Sequence, residues 1–262
     1  MSQFGATFRS FSTRRTLESK QTEIFSKMSE KWWDPNGTVK PLHAMNLLRI
    51  PWIRDRLGAI GAFKPAITES TPLSGLSILD VGCGGGFLSE PLSRLGGNVV
   101  GLDCNSDMLN VAISRLEKKN LSNLNYVQST IEEYVDENME NYDVVVASEV
   151  IEHVEKKGEF IKCCVKCLKP GGSMFVTTNS KSVISGFFGI TVAEKIFRLV
   201  PEGTHHYDMF VDLDDLKQLL QKEECDTIFS SGMVYNPFIN KWYFIENPYI
   251  LHYALHAMKV KK

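Results

Sequence analysis

The 262-residue chain lacks a repeat, a low-complexity tract, an excess of charge of either sign and an apolar run long enough to cross a bilayer. Its longest uncharged apolar stretch, Ser182 to Ala193, covers about 12 residues where a spanning helix needs about 20. With 29 basic and 31 acidic side chains the formal charge is −2, which excludes a globally basic surface and gives no sign of a nucleic-acid partner. Cysteine is scarce, six in all, and only Cys163, Cys164 and Cys167 cluster. No second pair and no nearby histidine completes a set of four soft ligands, so a zinc site is not indicated. Lying in the helix-like stretch Phe160 to Leu168, the three read as small buried hydrophobes. What remains, 43% apolar and 23% charged, is an ordinary globular composition with enough length for a large α/β core.

Acids are also missing from residues 1–17, which hold Arg9, Arg14 and Arg15, six Ser/Thr hydroxyls and Phe4, Phe8 and Phe11 before Glu18. That is the composition of a mitochondrial presequence, and Arg9-Ser10-Phe11-Ser12 looks like a matrix-processing site; a disordered basic leader is the alternative. Loss of the three arginines would take the charge from −2 to about −5. A matrix location would keep the thiols reduced.

Residues 18–63 read as a helical cap. Leu17, Ile24, Phe25, Met28 and Trp32 share one helical face up to the turn-rich Trp32-Trp33-Asp34-Pro35-Asn36-Gly37, and a second helix runs from about Leu42, breaks near Pro51 and resumes to Ala62. Within residues 64–262, β-branched runs at 77–81, 98–102, 124–127, 142–147 and 173–178 alternate with helical patterns, which predicts a mostly parallel sheet covered on both faces. Lys169-Pro170-Gly171-Gly172 reads as a stop and turn before the fifth strand, Asp212 as an N-cap, and 225–246 as a hairpin turning at Asn236-Pro237.

The strongest local signal is Ile78-Leu79-Asp80-Val81-Gly82-Cys83-Gly84-Gly85-Gly86, an apolar strand entering a glycine-rich turn. Asp103 closes the next strand, 21 residues after Gly82, where a carboxylate can accept from a ribose diol. The dinucleotide pattern would need a third glycine where Phe87 stands. Asp80 in the strand, the glycines and Asp103 instead look like the first motif of class I S-adenosylmethionine methyltransferases.

Beyond that loop, the chain closely resembles the ubiquinone-biosynthetic O-methyltransferases. The resemblance rests on Trp32-Trp33-Asp34-Pro35-x-Gly37, Lys40-Pro41-Leu42-His43-x-x-Asn46-x-Leu48-Arg49, Glu149-x-x-Glu152-His153-Val154, Val200-Pro201-x-Gly203-Thr204-His205 and Tyr235-Asn236-Pro237. It implies a class I α/β methyltransferase fold with a seven-stranded, mostly parallel sheet whose last strand is antiparallel. It also implies cofactor contacts from Arg49, Gly82, Asp103 and Ser148, beside Asp80 and Gly84 of the loop and, near the adenine, Ser129.

The implied reaction is transfer of a methyl group from S-adenosyl-L-methionine to a hydroxyl of a polyprenylated catechol or quinol in coenzyme Q synthesis. The resemblance further implies Mg²⁺ held by Glu149, Glu152 and His153. In a helical turn the i, i+3 and i+4 spacing would point all three to one side. His153 is read as metal ligand, general base or both, with Glu149 beside it as catalytic; a metal-free acidic turn is the alternative. A cofactor-binding but non-catalytic subunit, and an O-methyltransferase for another small phenol, stay open.

The apolar stretch 182–200, where Phe187 and Phe188 stand near Lys195 and Arg198, reads as an insertion facing lipid, with a buried helix or dimer contact as the alternative. The expected setting is peripheral, on the matrix side of the mitochondrial inner membrane. There it would meet a cardiolipin-containing surface and other subunits of a coenzyme Q biosynthetic complex. His205 and His206 are candidates for the head group, whereas His43, His252 and His256 read as structural.

Overall fold

A computed structural model describes residues 32–34, 37, 39–63, 70–180 and 210–261. The expected presequence, the helix leading to Trp32, the segment 182–200 and the His205/His206 pair lie outside the described residues.

Helix α1 (Lys40–Ala59) is continuous, with Pro51 inside it, where the sequence predicted a break. Proline withdraws the N–H that would reach the Leu47 carbonyl. Leu47 is exposed, so water can serve that carbonyl and the helix survives. Strands β1 (Ser77–Val81), β2 (Asn98–Asp103), β3 (Leu124–Gln128), β4 (Tyr142–Ser148) and β5 (Leu168–Asn179) then alternate with α2 (Ser89–Arg94), α3 (Ser106–Lys119), α4 (Ile131–Tyr134) and α5 (Lys157–Cys167). Helix α6 (Leu213–Lys222) follows, opened by the Asp212 carboxylate accepting from the Asp214 amide at 2.8 Å, and then β6 (Cys225–Asn236), β7 (Lys241–Ile245) and β8 (His252–Lys259).

The sheet order is β3-β2-β1-β4-β5-β8-β6-β7, parallel from β3 to β5. β8 runs antiparallel to β5, β6 antiparallel to β8, and β7 antiparallel to β6. The sheet therefore has eight strands among the described residues, not seven: the predicted hairpin adds β7 as a further edge strand, while the last strand in the chain is antiparallel as expected. The Lys169-Pro170-Gly171-Gly172 turn lies within β5, at the register shift where Tyr142 faces Leu168 and Val144 faces Ser173.

Alternation along the central strands sorts the core into two layers. Leu79, Val81, Val145 and Ala147 pack with Phe160, Cys164, Cys167, Leu216 and Leu220 of α5 and α6. Ile78, Val144, Val146 and Phe175 pack with Met45, Trp52, Ile53 and Leu57 of α1 and with Leu92 and Leu109. Because β1 and β4 are covered on both faces, they read in sequence as continuous apolar runs. The cysteines of α5 are free thiols in the first layer. Trp52 meets Phe175 edge to face at 5.1 Å, which seats α1 on the sheet beneath the carboxyl ends of the strands.

Candidate active site

Every cofactor position expected from sequence falls at or over the carboxyl edge of the parallel strands, the place where open α/β sheets bind ligands. The glycine loop leaves β1 with Gly82 at φ 70° and Gly86 at φ 85°. A Cβ at Gly82 would run into Val150, and one at Gly86 into the Tyr126 hydroxyl, so both the turn and the packing require glycine there. Asp103 anchors the loop: Oδ2 accepts from the Gly84 amide and Oδ1 from the Asn105 amide, each at 2.8 Å. Burial pushes its carboxyl up, and these amide donors counter that. Ser129 follows β3, its amide donating to the Asp103 carbonyl at 3.1 Å.

Asp80 is buried under the loop and accepts from the Ser89 hydroxyl at 2.5 Å. Burial raises its carboxyl to about 6, against opposing help from Ser89 and Arg49. A carboxyl raised in the fold adds stability below its unfolded value and loses it as pH climbs through the folded one. The move from 3.8 to about 6 corresponds to about 3 kcal/mol. In Asp80→Asn, thermal melts of the cofactor-free protein should therefore match wild type near pH 4 and exceed it above pH 6. Parallel Tm-against-pH curves would refute this.

From α1, Arg49 reaches across the sheet, buried, and its Nη1 donates to the Ser148 hydroxyl at 2.6 Å. Ser148 and Thr177 hydroxyls meet at 2.5 Å, and Thr177 donates to Glu149 Oε1 at 2.8 Å. The other oxygen, Oε2, lies 3.1 Å from His252 Nε2. Burial by itself would raise the Glu149 carboxyl, but His252, Arg49 and Thr177 together hold it well below the usual range. Glu152 moves the opposite way: burial and the Glu149 charge push it up.

The expected trio does not converge. Glu149 sits at φ 58°, in the left-handed region, and the following 3₁₀ turn spans only Ile151–His153, so the assumed i, i+3, i+4 helical face does not form. Glu149 turns to Thr177 and His252, Glu152 to the Thr178 hydroxyl at 2.7 Å and the Asn179 amide at 3.3 Å, and His153 is buried within its turn. Among the described residues, no group of three or more His, Cys, Asp or Glu side chains is placed to hold a metal ion. Two carboxylates are suitable donors for Mg²⁺, but here they and His153 turn to separate partners instead of converging, so the set does not fit the ion as arranged.

His252 was read as structural and is instead the partner of Glu149. Its signal could not be found locally, because the two are brought together by β8 pairing with β5, Asn179 opposite His252. Thr177 was hidden inside an apolar strand. The other two lone histidines are structural as expected: His256 stacks on Phe175 at 4.2 Å and meets Ser173, and His43 meets the Trp32 carbonyl at 3.1 Å. Trp33 donates to the Gly85 carbonyl at 2.8 Å and lies under the Arg115 guanidinium, while Trp32 stacks on Phe87 at 5.0 Å.

A parallel sheet of this order, a glycine turn after β1, an acid closing β2 and an arginine delivered from a helical cap define a class I S-adenosylmethionine-dependent methyltransferase. Residues 79–176 match the methyltransferase domain family. Magnesium protoporphyrin IX methyltransferase from Synechocystis, solved with bound SAH, superposes with a TM-score of 0.63 at 19% identity, over 92% of this chain and 98% of that one. The same enzyme with bound SAM gives 0.60 at 16% identity. The chain is 42% identical to the mitochondrial ubiquinone biosynthesis O-methyltransferase of Rattus norvegicus, over 96% of this chain and 72% of the relative. It is 39% identical to the ubiquinone biosynthesis O-methyltransferase of Nitrobacter winogradskyi, over 87% and 85%. It belongs to the ubiquinone biosynthesis O-methyltransferase family, and is an S-adenosylmethionine-dependent O-methyltransferase.

Proposed function

We propose that the chain methylates a hydroxyl of a polyprenylated catechol or quinol on the route to ubiquinone, at the matrix face of the mitochondrial inner membrane. The observation that carries this is the 42% identity over 96% of the chain to a relative named for that pathway and compartment.

A methyl sulfonium is already activated, so the protein has to align the acceptor oxygen with the S–CH₃ bond and remove its proton. Asp103 receives the ribose diol, Ser129 lies toward the adenine, Asp80 faces the methionine ammonium, and Arg49 with Ser148 takes the methionine carboxylate. A carboxylate held as low as Glu149 is a weak proton acceptor. Its part is to orient His252 and to stabilise the imidazolium, while the imidazole accepts the phenolic proton. The catalytic pair is thus Glu149 with His252, in place of Glu149 with His153.

Support for a lipid-facing edge comes from the β6–β7 hairpin. β6 runs parallel to β5, so its tip projects from the same edge as the glycine loop, and there Phe238 is 87% and Ile239 60% exposed. No described helix is long and apolar enough to cross a membrane. The partners in this reading are a cardiolipin-containing surface and other subunits of a coenzyme Q assembly. The test is transfer of labelled methyl from S-adenosylmethionine to a prenyl catechol in vesicles, against a soluble catechol. Preference for the prenyl substrate is expected; equal or better turnover of the soluble one would overturn the assignment.

A further inference from the structure

The buried Arg49 guanidinium is hydrogen-bonded by two neutral side chains, Ser148 and, one helical turn earlier, Asn46. Asn46 Oδ1 accepts from Arg49 Nε at 3.1 Å and from Nη2 at 2.6 Å. On its other side, Asn46 Nδ2 donates to the Phe87 carbonyl at 2.6 Å, immediately after the last glycine of the loop. That second bond fixes the amide's orientation: with the NH₂ directed at Phe87, the oxygen must face the guanidinium, and a flipped amide would set donor against donor at Arg49 and acceptor against acceptor at Phe87.

The donor count then becomes informative. A guanidinium carries five N–H groups in a rigid fork. Asn46 takes two, one on Nε and one on Nη2, and Ser148 takes one on Nη1 at 2.6 Å. Two donors remain, one on each terminal nitrogen, and a pair so placed matches the two oxygens of a carboxylate. Were Asn46 absent, the side-on edge, Nε and Nη2, would compete for the same ligand, and a buried guanidinium would have lost the contact that holds its plane.

We propose that Asn46 is a positioning residue for cofactor recognition: it occupies the side edge of the Arg49 guanidinium and ties α1 to the exit of the glycine loop, leaving the terminal fork for the methionine carboxylate. This deepens the reading of Arg49 given above and rests on it. The consequence is selective, because Asn46 acts only on the part of the ligand that Arg49 touches.

The discriminating measurement is the ratio of affinities for SAH and for decarboxylated SAH, which differs only in lacking the carboxylate, taken by titration calorimetry on the full chain. In wild type SAH should bind the tighter. Asn46→Ala should weaken SAH by about tenfold and decarboxylated SAH by less than about twofold, collapsing the ratio. Equal weakening of both ligands by Asn46→Ala would reduce Asn46 to a tie between helix and loop and overturn the proposal. Arg49→Ala separates the two levels. If it leaves the ratio intact, the carboxylate reading of Arg49 fails, and this inference with it. If it collapses the ratio while Asn46→Ala does not, only this inference fails.

Discussion

Glutamine in place of Glu149 should lower kcat by at least about a hundredfold while SAH binds within about threefold of wild type. The amide keeps the size of the side chain and can still meet Thr177, but it removes the charge that holds His252 and that would stabilise an imidazolium. His252→Asn should cost a similar factor, and the double variant little more than either single one, because the two residues act as one unit. Labelled methyl transfer measures kcat and calorimetry measures SAH. Fully additive losses would separate the pair, and normal turnover in both single variants would remove it from the mechanism. His153→Ala serves as the contrast. Buried in its turn, it should lose stability in a denaturant melt more than it loses turnover per folded molecule.

Asp103→Ala should weaken SAH by about a hundredfold or more. Two effects combine. In the proposed placement the ribose loses a charged acceptor, and the Gly84 and Asn105 amides, each 2.8 Å from a carboxylate oxygen, lose the group that fixes the glycine loop and the start of α3. Asp103→Asn restores one acceptor and should recover part of the loss. An alanine variant that binds SAH as wild type does would show that the cofactor does not lie against β2.

The carboxyl-edge site was legible because its parts are short-range. Asp80, Gly82 and Gly84 are a strand and its turn, Asp103 ends the next strand, and Ser129 and Ser148 end two more, so strand boundaries alone place them. The strand ranges read from sequence agree with those found to within a residue, β5 excepted, which begins earlier because the Pro170-Gly171-Gly172 turn is absorbed into a register shift, while β8 is not read from the sequence at all. Two things were not legible. The first was backbone conformation at a non-glycine residue: Glu149 at φ 58° turns the carboxylate away from Glu152 and His153, and nothing in Glu149-Val150-Ile151-Glu152-His153 announces it. The second was long-range register. Glu149 and His252 stand 103 residues apart, joined only through the antiparallel pairing of β8 with β5. Pro51 belongs with these, since its tolerance depends on Leu47 facing water, which periodicity does not reveal.

The tryptophan pair ahead of α1 carries a consequence for cooperativity. Trp33 holds the Gly85 carbonyl, and a Cβ at Gly85 would strike the Trp32 ring, so the glycine turn is roofed by residues some fifty positions upstream. Lifting of the Trp32–Trp33 segment and opening of the loop are then coupled. Amide exchange at Gly84 to Phe87 would follow that of the Trp32–Trp33 segment rather than that of β1 beneath it, and Trp33→Phe, which removes the bond to the Gly85 carbonyl, should speed exchange in the turn while β1 stays slow.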